Sequence, residues 1–386
     1  MVYDPLAHVS ERFLRGGRSG VVASRSERDV LRLVWRNPGV LRSDLTKPLE
    51  LTQQALHRIV ESLRQRGLIE FTDAPPAQSG ARFGPRSPGL APARGWCLTA
   101  GISVHVGSIQ ITLMDFGGLL DSRRIPEAGP TLDADLDRIA ETLVDMLAQR
   151  GVVSADLLGA GLGITGYAIG GGRWNAPLPL DRWSLVELAP LVGARLGLPV
   201  WADNSANTAA LAEAIFGVGR EHPDFAYVSH NYGYGGALIH AGRLYRGSFG
   251  NAGELSGIYD SAESTRRPAL HLLLERLRVH RPDLTLAEMI AGVTPDWQGV
   301  TDWIDDVTPA HNLAMNALTA IADPAMIVLG GELPYALAQM LIERTTFHSR
   351  PRRGIPRQTP RLVVAAVTDG PSAIGAALLP LFETVL

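Results

Sequence analysis

The chain is almost without cysteine. Cys97 is the single one in 386 residues, which excludes a disulfide within the chain and any zinc site built on two or more thiolates. It also lacks an uninterrupted apolar run near the roughly 20 residues of a membrane span, and neither end reads as a secretory signal. A reduced, cytoplasmic location without membrane association is expected. Charge is sparse at 19% of residues, and hydrophobic residues make up 46%, an ordinary globular composition. The length exceeds what one small core needs and points to two or three domains.

The few charges are unevenly placed. Residues 1–95 hold 15 Lys+Arg against 9 Asp+Glu, a net of +6, and the remainder holds 21 against 30, a net of −9; together they return the chain's −3. A basic head on an acidic body suggests that the head meets a polyanion.

The pattern inside the head agrees. Ser26 followed by Glu27, Arg28 and Asp29 reads as a helix start, and Val30, Leu31 and Val34 share one face. Asn37-Pro38-Gly39 stops that helix. A second short helix is expected around Arg42 to Lys47, ended by Pro48. In the third, Ala55, Leu56, Ile59, Val60 and Leu63 form an apolar stripe, with Thr52 as N-cap and Gly67 as the C′ residue. Its other face carries Gln53, Gln54, His57 and Arg58, side chains that bond base edges and phosphates. Leu68 to Phe71 reads as a strand, followed by a Pro/Gly/Ser-rich stretch over 73–94, wing and linker, whose Arg82 and Arg86 are expected, with Thr52 and those four, to contact DNA. This is the order of a winged helix-turn-helix. Residues 1–22, with Arg12, Arg15 and Arg18 among glycines, are expected to be a flexible arm or a disordered end, and the head to run over 23–94.

Beyond Gly95 strands and helices alternate, which indicates an α/β body with ligands near strand ends. The clearest elements are two strands between Trp96 and Met114, a helix from Leu132 to Gln149, strands Leu157–Ile164 and Met326–Leu329, helix Ala206–Phe216 and a closing helix Ser372–Thr384.

Several segments of this body, in order, resemble the ROK family, which groups repressors and sugar kinases. Gly197 to Gly217 is similar to its sugar-binding segment. Tyr232 to Gly257 is similar to its second phosphate loop followed by its Gly-Glu-Leu-Gly-His sugar motif. Met326 to Pro334 resembles its nucleotide-side Gly-Gly loop, and Ala365 to Pro380 its closing helix. The resemblance implies an actin-like, ribonuclease-H-like fold of two α/β lobes, expected over 95–205 plus 370–386 and over 206–369. With the winged helix in front, an α+β multi-domain protein of the repressor type is expected.

The departures from that pattern bear on chemistry. A sugar kinase needs a carboxylate base beside the attacking hydroxyl and loops that cradle phosphate. The family's Glu-Asn-Asp-Ala-Asn is here Asp203-Asn204-Ser205-Ala206-Asn207, so the base position is Ser205. Asp203, two residues earlier, is the alternative base if it shares a face with Ser205. The first phosphate loop, Asp-x-Gly-Gly-Thr, becomes Ser103-Val104-His105-Val106-Gly107, and the threonine of the second becomes Tyr232, whose ring is expected to crowd the phosphate. The sugar side keeps more: Asn204, Ser205 and Glu254 are the expected sugar-binding residues, with Asn204 as a helix cap and Glu254 as an exposed carboxylate the plainer alternatives. The motif histidine falls at Gly257, and Tyr259 to Arg267 lacks the family's zinc-binding cysteines. His271 is expected on a helix surface.

No catalytic residue, cofactor or metal is expected. The partners expected are operator DNA and a sugar or sugar derivative, in a homodimer or dimer of dimers, because one three-helix reader covers one half-site. The alternatives are an active ATP-dependent sugar kinase with a DNA-binding head, and a regulator controlled by a protein partner.

Overall fold

The computed structural model describes residues 3–15, 22–73, 88–126, 129, 131–348 and 351–386. The head holds helices α1 (Arg25–Arg36), α2 (Arg42–Leu49) and α3 (Gln53–Gln65), and strands β1 (Val40–Leu41), β2 (Ile69–Thr72) and β3 (Gly89–Pro92) in the order β1-β3-β2. The cap of α1 is Ser24, two residues before the expected start: its hydroxyl accepts from Glu27 N–H while Glu27 accepts from Ser24 N–H at 2.8 Å. The second contact decides between the two serines, because only Ser24 has a carboxylate three residues on that reaches back. Pro48 sits inside α2, which ends instead at Glu50, a left-handed residue with φ of 52°. Thr52 caps α3 through Ala55 N–H, and Gly67 follows it with φ of +73°.

The body contains two five-stranded sheets. The first is built by β4 (Leu98–His105), β5 (Ser108–Asp115), β6 (Gly118–Pro126), α4 (Leu132–Ala148), β7 (Leu157–Ile164), the hairpin β8 (Tyr167–Gly170) and β9 (Arg173–Asn175), α5 (Leu188–Leu196) and β10 (Val200–Asn204). Its order is β10-β7-β4-β5-β6, with β7 parallel to both β4 and β10. Every residue of β7 is buried, as its unbroken apolar sequence requires of a central strand.

Helix α6 (Ser205–Phe216) leads to the second sheet. This comprises β11 (Phe225–His230), β12 (Tyr234–His240) and β13 (Arg243–Tyr245), then α7 (Ser261–Ser264), α8 (Leu270–Arg278), α9 (Leu286–Gly292), α10 (Val300–Ile321), β14 (Met326–Gly331), α11 (Tyr335–Arg344) and β15 (Arg361–Val364), in the order β13-β12-β11-β14-β15. The last helix, α12 (Pro371–Thr384), returns to the first sheet. It approaches so closely that a Cβ on Gly161 would lie 1.9 Å from Ala376 O, and one on Gly375 would lie 1.6 Å from Thr208 O of α6. Those two glycines let α12 lie against both β7 and α6.

Head and body share one core. Val34, Trp35, Leu56, Val60 and Leu63 belong to the same buried cluster as Phe116, Leu158, Leu211, Ile215 and Leu378. Trp35 packs on Phe116 and Phe216 with ring centroids 5.3 and 6.4 Å apart, and Trp96 meets Phe116 edge-on at 4.9 Å. The stretch expected as wing and linker therefore includes a paired strand, β3, and its end is no free joint. Nor is the described part of the expected arm free. Residues 3–15 run over the body, with Phe13 buried, Tyr3 hydroxyl accepting from Val200 N–H at 3.1 Å, and Arg12 paired with Asp156 at 2.7 Å. Apolar residues at Val9 and Phe13 outweigh the basic ones around them.

Candidate ligand cleft and DNA-facing surface

Between the lobes lies a cavity of about 270 Å³ at the ends of β7 and β10, the start of α6 and the turn from β11 to β12. Asn204, Ser205 and Glu254, far apart in sequence, all line it, joined by Thr165, Ser229, Asn231 and Arg267. Asn204 is also the cap of α6. Its Oδ1 accepts from Ala206 N–H at 2.7 Å and its Nδ2 donates to Gly166 O at 2.5 Å. Ser205, the first residue of α6, is buried with its hydroxyl 3.3 Å from that of Thr165. Glu254 bonds through Oε1 to the hydroxyl and N–H of Ser256, and its Oε2 takes no hydrogen bond from any described residue. Asn231 holds the loop after β14, accepting from Glu332 N–H at 3.0 Å and donating to Ser229 at 3.1 Å.

Asp203 does not share this space. Its Oδ1 accepts from Asn204 N–H at 2.7 Å and from Asn207 Nδ2 at 2.6 Å, and its Oδ2 pairs with Arg246 at 2.7 Å. Arg246 also holds Glu383 at 3.1 Å. Asp203 lines a different cavity, of about 550 Å³, with Tyr3, Trp201 and Glu383. The expectation that strand alternation brings it beside Ser205 fails because the strand ends at Asn204 and Ser205 already belongs to α6.

The first phosphate-loop position is filled by a closed polar cluster. Ser103 hydroxyl contacts His105 Nε2 at 2.8 Å and donates to Ser372 at 2.7 Å, and Ser372 contacts Thr208 at 2.8 Å. All four residues are buried. Burial holds His105 below its ordinary pKa, against the pull of Glu332, so it serves as a neutral hydrogen-bonding ring. Arg124 of β6 reaches across to Glu332, after β14, at 3.0 Å and joins the lobes on this side. Tyr232 is not among the residues lining the cavity. Its ring stacks on His271 at 5.0 Å, away from the cavity, and its carbonyl bonds the His271 ring at 2.6 Å. His271 is thus half-buried on α8 rather than a plain surface residue. The region from Tyr259 to Arg267 is held by the Asp260–Glu263 capping box of α7 and by Tyr259 hydroxyl donating to Ala310 O at 2.9 Å.

On the head, Thr52, Gln53, Gln54, His57 and Arg58 are all exposed at the start of α3. The hydroxyl of Thr52 is occupied by its capping bond. Arg42, Ser43 and Thr46 of α2 form with Gln53, Gln54 and His57 one concave surface, and Arg42 Nη1 lies 2.7 Å from His57 Nδ1. These α2 residues escaped the sequence reading, although a basic residue opening the helix before a recognition helix was a usable signal. Arg82 and Arg86 lie outside the described residues.

Residues 99–263 match the model of the ROK family, and residues 24–78 that of the MarR family. The chain carries a ROK family domain. It carries a MarR-type winged helix in front. Over 368 residues it is 29% identical to an uncharacterized Sinorhizobium fredii protein, y4fQ, covering 93% of this chain and 91% of that one. A xylose repressor of Caldicellulosiruptor bescii is 27% identical over 232 residues, 58% of this chain and 56% of the repressor. A Streptomyces coelicolor glucokinase is 31% identical over 165 residues, 42% and 49% of the two chains. Among solved structures, a ROK family transcriptional regulator, homolog of the E. coli Mlc protein, superposes with a TM-score of 0.65 at 18% identity, over 93% of this chain and 98% of that one. The fold is therefore shared with that structure over most of the chain, head included. No helix among the described residues is long and apolar enough to cross a membrane.

Proposed function

We propose that this ROK protein is a DNA-binding transcriptional repressor whose cleft binds a sugar without phosphorylating it, and that occupancy of the cleft alters operator binding. The observation that carries this reading is α6. Its first residue, Ser205, lines the cleft, and its last, Phe216, packs on Trp35 of the head. A ligand that favours one arrangement of the lobes then has a packed path to the DNA-reading helices, and it acts through its difference in affinity for the two states. The xylose repressors among the relatives support the sugar class.

The glucokinase relatives favour a second reading, an active kinase with a DNA-binding head. Three features weigh against it. The base position is a serine, whose hydroxyl holds its proton far too tightly to act as a general base unaided. Asp203, the nearest substitute, is bound to Arg246 outside the cavity. The first phosphate loop is replaced by the buried Ser103–His105–Ser372 cluster.

One experiment separates the readings. The full chain is titrated into fluorescent DNA from upstream of its own gene, with and without D-xylose, D-glucose and their relatives, and the same mixtures are assayed with ATP for ADP release. A sugar-dependent change in DNA affinity without ADP release is expected. ADP release coupled to sugar turnover would establish the kinase. DNA binding unmoved by any sugar would leave the protein-partner alternative in its place.

A further inference from the structure

The ligand cleft holds one positive charge and one negative charge that do not pair with each other. Arg267 lines the cavity, and Glu254 is the one carboxylate among the lining residues. Arg267 pairs with no carboxylate among the described residues; its hydrogen bonds run to Ser264. Its Nη1 is fixed by Ser264, donating to the carbonyl at 2.5 Å and to the hydroxyl at 2.7 Å. Its Nε and Nη2, the edge that grips a carboxylate or phosphate with two parallel bonds, meet no hydrogen-bond acceptor among the described residues. Glu254, by contrast, is turned to Ser256.

The backbone around this charge is open. At Gly233 and Gly235, both lining the cavity, a Cβ would meet nothing within 4 Å. Tyr232, between Asn231 and Gly233, has turned its ring onto His271. The turn from β11 to β12 thus presents bare main chain to the same space that Arg267 enters. The hydroxyls of a neutral sugar can accept from Arg267 but cannot neutralise its charge, whereas a carboxylate or phosphate does both through two parallel bonds.

We propose that the ligand of this cleft is a monosaccharide bearing an anionic group, a carboxylate or a phosphate, received by Arg267 and the Gly233–Gly235 turn while Glu254 and Asn204 take its hydroxyls. The proposal rests on the reading of the cleft as a sugar site. It needs no nucleotide, and so it is compatible with the loss of the first phosphate loop.

The test is calorimetry on the full chain with matched ligands. D-glucose, D-galactose, N-acetyl-D-glucosamine and D-xylose are compared with their sugar acids and their terminal phosphates, and with inorganic phosphate alone. At least one anionic sugar is expected to bind tenfold or more tightly than its neutral parent, with the acid and phosphate arms distinguishing the two sources of charge. Arg267→Gln is expected to weaken the anionic sugar tenfold or more and its neutral parent much less, so that the preference disappears, and Arg267→Lys to retain part of it. Thermal melts of both variants guard against a folding defect. Neutral sugars binding as tightly as their anionic partners, or Arg267→Gln weakening all ligands alike, would overturn the proposal but leave the sugar site standing. Inorganic phosphate competing as well as the sugar phosphates would reduce it to a bare anion site and overturn it. Binding of no sugar of either kind would remove the sugar site itself, and the proposal with it.

Discussion

The two ends of α6 are built from opposite chemistry. At the start, Asn204 and Ser205 turn polar groups toward the cleft, held by bonds to Gly166, Ala206 and Thr165. At the finish, Ile215 and Phe216 lie in an apolar contact with the head, where Trp35 and Phe116 meet. Between them every residue from Ser205 to Ile215 is buried. A helix buried all round cannot shift without its neighbours. The polar end is suited to sensing a ligand, and the apolar end to passing on the displacement.

The head end offers the largest break. Trp35→Ala removes a 6%-exposed indole from the shared core, and a loss of about 3–5 kcal/mol is expected in urea unfolding. Phe216→Ala is the cleaner probe, because that ring is 38% exposed. It should leave calorimetric sugar affinity within about twofold and weaken the response of DNA binding to sugar. An undiminished response in this variant would mean that the signal travels elsewhere.

Acid should loosen the second lobe while sparing that contact. His230 and His311 are fully buried, and burial lowers their pKa values to about 4 and about 3, His311 being further disfavoured by His230. His311 shares one bond, with Thr345 at 3.0 Å, and the backbone at Val228 and Gly330 favours the charged His230 ring too weakly to offset its burial. Among the described residues, no charged group other than the pair itself shifts either ring, and Tyr234 packs edge-on to His230 at 5.1 Å. Both histidines are neutral in the folded chain below the ordinary value of 6.5, whereas the unfolded chain takes up protons there. Stability is therefore complete above that value and declines as pH falls through it, by about 2–4 kcal/mol at pH 5 if both contribute. Denaturant unfolding at pH 7 and pH 5 measures this, and His311→Gln should flatten the profile. An equal acid loss in that variant would place the titrating group elsewhere.

At the cleft end a smaller effect is expected. Asn204→Ala removes the cap of α6, costing about 1 kcal/mol, and frees Gly166 O. Sugar affinity should fall by more than this stability loss explains, because one side chain serves both tasks. A melt lowered as expected with sugar binding intact would leave Asn204 as a cap alone.

What was legible in the sequence follows the same division. Continuous apolar or strongly periodic segments declare themselves: β7 is legible to the residue, and α3 with its Thr52 cap nearly so. Strand β3 is not, because Gly-Leu-Ala-Pro has loop composition and is a strand only through its pairing with β1 and β2. The family motifs carried Asn204, Ser205 and Glu254 into one cavity. Arg267 and Thr165 were missed because neither stands in a motif and each reaches the cleft only through tertiary folding. The turned ring of Tyr232 depended on a partner 39 residues away, His271, which local spacing does not reveal.

The smallest expected effect is none at all, and it is informative. Ser205→Asp restores a carboxylate at the base position, beside Thr165 and the start of α6. If that loss alone silenced phosphoryl transfer, the variant would release ADP in the presence of sugar and ATP. The first-loop position, however, remains the buried Ser103–His105–Ser372–Thr208 cluster, in which no side chain is an acid able to hold a metal-bound phosphate. The Arg124–Glu332 pair still joins the lobes beside it. No ADP release above background is therefore expected from Ser205→Asp. Release at a rate dependent on sugar would mean that the cleft retains the rest of a kinase, and that the polar end of α6 was silenced by a single residue rather than rebuilt for sensing.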